Sequence, residues 1–332
     1  MGLWKRKVNR TAFNTPNWEV EKSSRRKAFV GILFVDFSKA FDTVSHNILL
    51  QKLNNLGLRG DIWLWLKKWK NYLTEWRQFV RINGCDSNTH ITTHGVPQGS
   101  VLGPALFSLF SNDLPKSLCS AETYLYADNT TIYCIAEIME LLTNSLNNVL
   151  AELQEWCDRN FMVPHPEKCK AMIMQCKSTF TGPIQALRLG NNIIKWTTSE
   201  RLLRVQVDNK LSWSDHAANV AKSCASKLSL LWRMRFLPRK QLEDFYTKVI
   251  LPSVTYGLTV WGSYNKTHQN NLEKLHARAG WTVYGLPWDT SAEDVLMRTG
   301  WDSLETIYKL RLTEFVFKCL RGYTGTEFKE KF

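Results

Sequence analysis

Two aspartates stand where strand-like segments end, and carboxylates in such places can bind metal ions. Asp36 closes the apolar, β-rich run 28–37, and Asp128 lies at the tip of a hairpin pattern with arms at 124–126 and 131–135. If the two strands are neighbours in one sheet, both carboxylates lie at the same edge. That arrangement suits two-metal phosphoryl transfer, because Mg²⁺ takes few protein carboxylates and completes its shell with phosphate oxygens and water. The alternative is that each aspartate is a solvated turn former, the commoner role of such residues.

The rest of the pattern predicts the elements that hold these residues. Helices are predicted after Ser45 and from Ile138 to Trp156, and short strands around a turn at 84–86. From His216 onward the pattern is purely helical, with helices predicted at 216–235, 241–251, 267–283 and 304–320. We therefore expect an α+β protein with three parts: a basic, disordered arm at 1–27, a mixed domain at 28–213 and a helical region at 214–332.

The charge of the chain favours a polyanionic partner. It has 43 basic and 30 acidic residues, a formal net charge of +13. The excess is concentrated in 1–27, with eight basic and two acidic residues, and in 222–240, with six basic and no acidic ones. Those six are Lys222, Lys227, Arg233, Arg235, Arg239 and Lys240. A solvated surface is the ordinary meaning of a charge run, but such clustering favours binding to nucleic acid or an anionic membrane.

Other sequence features exclude several classes of protein. No apolar stretch reaches the roughly 18–20 residues that a membrane-spanning helix needs. The eight cysteines form no Cys-x-x-Cys pair, so we expect no zinc site. The first residues lack the apolar core of a secretion signal. We therefore expect a soluble intracellular protein, cytoplasmic and nuclear if it is active, with no membrane partner; its oligomeric state stays open.

Three segments occur in an order that resembles motifs A, B and C of the reverse transcriptases of non-LTR retrotransposons. They are Phe-Val-Asp-Phe-Ser-Lys-Ala-Phe-Asp at 34–42, Gly-Val-Pro-Gln-Gly-Ser-Val-Leu-Gly-Pro at 95–104 and Tyr-Ala-Asp-Asn at 126–129. Pro166-Glu167-Lys168 is similar to the lysine-bearing motif D, and the resemblance extends over about residues 28–290. It implies a polymerase-type palm, an antiparallel sheet with packed helices, followed by an all-α thumb and a C-terminal helical region.

The resemblance also implies roles for individual residues. Asp36 and Asp128 are expected to bind two Mg²⁺ (or Mn²⁺) ions, with Asn129 beside them and Lys168 near the triphosphate as an acid. Phe41 is expected to be the steric gate beneath the incoming sugar, next to the backbone carbonyl of Phe37, while Gln98 and Gly99 lie against the nucleotide and the template base. The partners implied are an RNA template, a DNA primer and deoxynucleoside triphosphates. The bland alternatives are that Phe41 is core, Gln98 satisfies its own loop and Lys168 is a solvated cation.

The chain departs from the family pattern at two places that bear on activity. The second aspartate of motif C is Asn129, which removes one negative charge from a site for two dications. Only 35 residues precede Asp36, so we expect a truncated copy lacking most of the fingers and any endonuclease domain. The first hypothesis is thus RNA-templated DNA synthesis that is impaired in this chain. The alternatives are a catalytically inactive nucleic-acid-binding remnant and a relic that folds poorly.

Overall fold

The computed structural model of the chain describes residues 28–56, 77–97, 99–174, 184–263 and 265–324. The contacts divide the described chain into two compact units, one ending at Thr197 and one beginning at Thr198. This division precedes the hairpin 199–208, whereas the sequence pattern placed the boundary after it, at 213. The expected arm at 1–27 lies outside the described residues, and the names palm and thumb stay predictions.

The first unit is built on one six-stranded sheet. Its strands are β1 (Phe29–Val35), β6 (Glu122–Tyr126), β7 (Asn129–Ala136), β8 (Lys170–Met174), β9 (Leu187–Leu189) and β10 (Asn192–Trp196). They are arranged in the order β6-β7-β1-β8-β10-β9, and all neighbours pair antiparallel except β8 and β10, which are parallel. Strand β1 lies inside the sheet, and six of its seven residues are buried, as its unbroken apolar run predicts.

Within the part of the first unit that the structure describes, four helices accompany this sheet: α1 (His46–Asn55), α2 (Gly103–Phe110), α3 (Leu114–Ser117) and α4 (Met139–Asn160). Helix α4 buries the leucine and valine positions spaced by three and four, including Leu142, Leu146 and Leu153. It approaches β1 so closely that a Cβ on Gly31 would lie 2.8 Å from Leu146 Cδ1. A side chain at that position would force the side chains of Leu146 and Leu142 to shift.

A small β-structure follows α1 along the chain. Strand β2 (Arg77–Gln78) pairs with β5 (His90–Ile91), and β3 (Arg81–Ile82) pairs with β4 (Cys85–Asp86). The turn between β3 and β4 is Asn83-Gly84, both with positive φ, the geometry of a type I′ hairpin. The turn therefore lies at 83–84 and not at 84–86 as predicted, because Cys85 and Asp86 form strand β4.

The second unit is a hairpin followed by helices. The hairpin is formed by β11 (Ser199–Leu202) and β12 (Val205–Asp208). The helices are α5 (Ser214–Arg233), α6 (Arg239–Phe245), α7 (Leu251–Thr255), α8 (Leu258–Trp261), α9 (Lys266–Tyr284), α10 (Ala292–Thr299) and α11 (Leu304–Leu320), with a π-helical turn at Tyr246–Ile250. The α+β class is confirmed, and helices are confirmed in all four regions where the pattern predicted them. None of the helices within the described ranges is long and apolar enough to cross a membrane.

Candidate active site

Strand pairing brings the two candidate metal ligands to one edge of the sheet. Strands β1 and β7 are neighbours, and Val35 pairs with Thr130 at the end of their ladder. Asp36 follows Val35 directly, and Asp128 lies in the two-residue turn between β6 and β7, where Tyr126 pairs with Asn129. The carboxylates thus share the end of the sheet because the hairpin and β1 are in register there. The Asp36 side chain remains 32% exposed, so it is open to a ligand.

The turn that carries Asp128 has an unusual backbone. Ala127, which precedes it, has φ of +52°. A side chain at positive φ is disfavoured for residues other than glycine and asparagine, so the hairpin holds Ala127 there at a cost. A two-residue connection with a positive φ matches the twist of the flanking strands. Asp128 is therefore placed by a tight turn and not by a long loop.

The segment after α4 closes over the same edge and brings a cation to Asp36. Phe37 and Pro164 form an isolated β-bridge, and the backbone N–H of His165 donates to the carbonyl oxygen of Asp36 at 2.8 Å. These contacts place Lys168 Nζ 3.5 Å from Asp36 Oδ2. The lysine side chain is 58% exposed, so this ion pair is readily exchanged with solvent. Lys168 is thus the cation that contacts the carboxylate in the described structure.

Two of the three phenylalanines of motif A, Phe37 and Phe41, occupy different environments. Phe37 is buried and its ring lies 6.1 Å from that of Trp156, so its side chain belongs to the core and only its backbone is available at the site. Phe41 is partly buried, and its ring centroid lies 4.9 Å from that of Phe107. Its carbonyl oxygen accepts the N–H of Val96 at 2.8 Å, which ties motif A to the loop of motif B. Phe41 therefore combines core packing with partial exposure.

The loop of motif B begins in a tightly held conformation. The N–H of Gly95 donates to Val44 O at 2.8 Å, and the His46 ring nitrogen Nε2 lies 2.6 Å from Gly95 O. Burial lowers the pKa of His46, which favours the neutral ring at neutral pH. Gln98 lies outside the described residues. Gly99 has φ of +81°, and a Cβ at this residue would have no atom within 4 Å, so its surroundings are open.

The far end of the same loop is fixed by a serine that the sequence analysis did not single out. Ser100 Oγ donates to Pro97 O at 2.8 Å and accepts the N–H of Gly103 at 2.9 Å, which closes the loop onto the start of α2. A Cβ on Gly103 would lie 2.7 Å from Pro97 O. No capping box indicates this role in the sequence, because the residue three positions after Ser100 is Gly103 and not Glu or Gln.

The sequence analysis also did not single out a partly buried ion pair between Lys52 and Asp113. Lys52 Nζ donates to Phe110 O and to Asp113 Oδ1, both at 2.7 Å, and Trp156 Nε1 donates to the same carboxylate oxygen at 3.1 Å. Burial lowers the pKa of Lys52, which the contact with Asp113 opposes. The group joins α1, α4 and the residue before α3, which are far apart in sequence. No local pattern could have shown this contact.

The donor set at the sheet edge fits a hard divalent cation. Asp36 and Asp128 offer carboxylate oxygens, and Asn129 adds only an amide oxygen. Mg²⁺ is usually held by one or two carboxylates together with substrate phosphates and water, so two carboxylates are sufficient. No group of three or more histidine, cysteine, aspartate or glutamate side chains suited to a metal occurs among the residues whose placement is described.

The basic residues of 222–240 lie on the helical unit. We call Lys222, Lys227, Arg233, Arg235, Arg239 and Lys240 the basic cluster. Five of the six are exposed and Lys227 is half-buried. The opposite face of α5 buries Cys224, Leu228 and Leu231, as its predicted amphipathic pattern requires. The Arg239 guanidinium lies 3.5 Å from the centroid of the Tyr284 ring, which fixes one of the six cations against the fold.

Comparison with known proteins places these motifs in a family. The family described as reverse transcriptase (RNA-dependent DNA polymerase) matches residues 6–203. The RNA-directed DNA polymerase from the mobile element jockey of Drosophila melanogaster is 29% identical over 293 residues, which cover 84% of this chain and 31% of the relative. The probable RNA-directed DNA polymerase from transposon BS of the same species is 26% identical over 282 residues, covering 79% of this chain and 30% of the relative. The chain thus spans about a third of the length of these curated relatives.

Two telomerases are among the solved structures that the chain matches, both at TM-scores below 0.5. Telomerase from Candida albicans, in complex with a fragment of telomeric RNA, gives a TM-score of 0.45 at 11% identity and covers 93% of this chain and 54% of that one. Apo telomerase from Candida tropicalis gives a TM-score of 0.46 at 10% identity, and the match covers 84% of this chain and 46% of that one. The family match extends over more than half of this chain, and the resemblance to polymerases of non-LTR retrotransposons is confirmed by the mobile-element relatives. The chain belongs to the reverse transcriptase (RNA-dependent DNA polymerase) family.

Proposed function

We propose that this chain is the polymerase part of a retroelement protein and that its site performs RNA-templated DNA synthesis. The observation that carries the proposal is the register of β1 with the β6–β7 hairpin, which brings Asp36 and Asp128 to one sheet edge. The substrates are a primer annealed to RNA and deoxynucleoside triphosphates. The curated relatives are RNA-directed DNA polymerases by name, and the same chemistry is proposed here because the carboxylate pair is retained.

Divalent metal ions are used generally in this family, and the residues of this chain suit them. When bound, such ions lower the pKa of a primer hydroxyl and neutralise phosphate charge. Asp36 and Asp128 would hold such ions, and Asn129 would contribute an amide oxygen. Lys168, whose Nζ lies 3.5 Å from Asp36 Oδ2, would be the proton donor at the triphosphate.

Other residues of the site orient the nucleotide. Phe41, held against Phe107, excludes a 2′-hydroxyl by the volume of its ring. Gly99 lies against the nucleotide and the template base, and the open space at Gly99 is consistent with close approach of a ligand to the backbone. In the helical unit, the basic cluster contacts the phosphates of the primer–template duplex.

A second function is favoured by one specific residue. Asn129 leaves the carboxylate charge of the site at −2, and Lys168 already contacts Asp36. A protein with this charge deficit could hold primer and template by phosphate contacts while carrying out little or no nucleotide addition. This second candidate is a nucleic-acid-binding protein that descends from a polymerase.

Extension of a DNA primer on an RNA template in Mg²⁺ or Mn²⁺ separates the two functions. The test compares the chain as it stands with Asp36→Asn and Asp128→Asn, and Asp289→Asn serves as the matched control because Asp289 is exposed and lies in the helical unit. We expect metal-dependent extension that both site variants abolish and the control retains. Extension that survives Asp36→Asn would refute the proposed site. Duplex binding without extension, in this chain and in Asn129→Asp, would favour the second function.

A further inference from the structure

Two aromatic rings are exposed where α5 ends and the chain turns towards α6. Trp232 is 54% exposed and Phe236 is 79% exposed. The core side of α5 is occupied by Leu228 and Leu231, which are buried, so these rings are not required to pack the unit. Large aromatic side chains left in water usually mark a binding surface when they occur together. We call Trp232, Arg235 and Phe236 the aromatic tip.

The aromatic tip is also strongly cationic. The Arg235 guanidinium lies 4.6 Å from the Trp232 ring centroid, and Arg233 beside it is exposed. No acidic residue occurs between Lys222 and Lys240 in the sequence. Among the described residues, none of the ion pairs found involves these arginines. Exposed rings together with cations that have no acidic partner are typical of surfaces that bind single-stranded nucleic acid. Bases stack on the rings, and phosphates pair with the cations.

Other partners fit the aromatic tip less well. A helix that lies on a membrane directs its apolar face outward, whereas α5 buries its apolar face in the unit. A duplex satisfies the cations but offers few free base faces, since its bases are already stacked on one another. We therefore propose that the aromatic tip binds single-stranded nucleic acid through base stacking on Trp232 and Phe236. This inference rests on the proposed function, which has the helical unit bind nucleic acid. It adds that the aromatic tip binds the single-stranded form.

The test measures binding of a labelled oligothymidylate and of a blunt DNA duplex of equal length over a series of salt concentrations. The variant Trp232→Ala/Phe236→Ala is compared with Trp288→Ala, a matched control because Trp288 is 83% exposed and lies outside the basic cluster. We expect the double variant to bind oligothymidylate at least about tenfold more weakly, as loss of base stacking predicts. Duplex affinity and the slope of log K against log salt should stay unchanged, because no phosphate contact is removed.

The outcomes separate this inference from the proposed function. Equal losses on both ligands, or no loss on either, would overturn stacking at the tip while leaving the polymerase proposal intact. A dimer that the double variant converts to a monomer, or binding to anionic phospholipid vesicles that it abolishes, would assign the tip to a second copy or a membrane instead. If the unaltered chain binds neither oligonucleotide, both proposals fail. Trp232→Phe keeps an aromatic ring, so it should retain most of the affinity for oligothymidylate. If the double variant bound weakly only because it misfolded, a ring at position 232 would make no such difference.

Discussion

Restoring a carboxylate at position 129 should tighten metal binding at the sheet edge. Val35 pairs with Thr130, so Asn129 is the next position along β7 and Asp36 the next position after β1. Asp36 and Asp128 carry −2 and the contacting Lys168 carries +1, which leaves a net charge of −1 around the edge. Asn129→Asp changes the net charge around the edge from −1 to −2 without altering the size of the side chain.

The magnitude follows from Coulomb's law. A unit charge and a dication about 4 Å apart interact by about 2 kcal/mol in a water-like medium and several times more in a protein-like one. The lower figure applies because the added charge is at position 129, which is exposed. With about 1.4 kcal/mol for each factor of ten, the substitution should tighten metal binding about 30-fold. Nucleotide addition should rise by about 10²–10³, by analogy with restoring one electrostatic contact to a transition state.

The assay is a titration of the protein with Mn²⁺, followed by the electron paramagnetic resonance signal of the free ion. Asn191→Asp is the matched control, because it adds the same charge to the exposed turn between β9 and β10. An affinity change of less than about threefold in Asn129→Asp, or an equal change in the control, would refute the electrostatic argument. Either result would mean that the amide oxygen of Asn129 already serves the metal or that position 129 does not face it.

Three further predictions concern other parts of the molecule. In a variant that extends primers, Phe41→Ala should raise ribonucleotide incorporation relative to deoxyribonucleotide; unchanged discrimination would make Phe41 a core residue only. Neutralising three residues of the basic cluster should weaken binding to all duplex sequences alike and lower the slope of log K against log salt by about 0.7–0.9 per lost phosphate contact, and an unchanged slope would remove the cluster from the interface. Burial lowers the pKa of His216 and of His276 to about 4, so the unfolded state takes up protons first as the pH falls below about 6.5. Denaturant titrations should therefore show a loss of about 2 kcal/mol per histidine between pH 7 and pH 5, and a flat profile would contradict neutral burial.

The parts of the fold that the sequence predicted well are those determined by local pattern. The apolar run around Leu33 predicted β1, and the leucines of α4 predicted a long amphipathic helix, because burial repeats with the period of each element. Ile138 was an exception: it precedes α4 and is exposed, because the helix begins one residue later. Helix α10 was not predicted, although its sequence is amphipathic; it is only eight residues long and buries only Val295.

The sequence named the candidate site residues, whose roles stay predictions, but it could not show their contacts. The order of the motifs placed Asp36 and Asp128 as candidate ligands, and the pairing of β1 with β7 shows how distant segments meet. The approach of Lys168 to Asp36 depends on a β-bridge between segments more than a hundred residues apart, and no spacing rule reports it. The same holds for Lys52, whose partner Asp113 lies in a distant segment, just before α3. Such contacts are tertiary, so they follow from packing and not from local propensity.

The strand ladder and the charge of the candidate site depend on different residues, so the fold does not require a carboxylate at position 129. The β1–β7 ladder is held by backbone pairing and by buried side chains such as Leu33 and Ile132, none of which carries charge. Asn129 stands at the exposed end of that ladder, where an amide and a carboxylate of equal size fit the turn alike. In the absence of a metal, the amide even removes a repulsion between like charges. Loss of the carboxylate therefore does not disturb the scaffold, and the scaffold keeps the position at which a single substitution restores it.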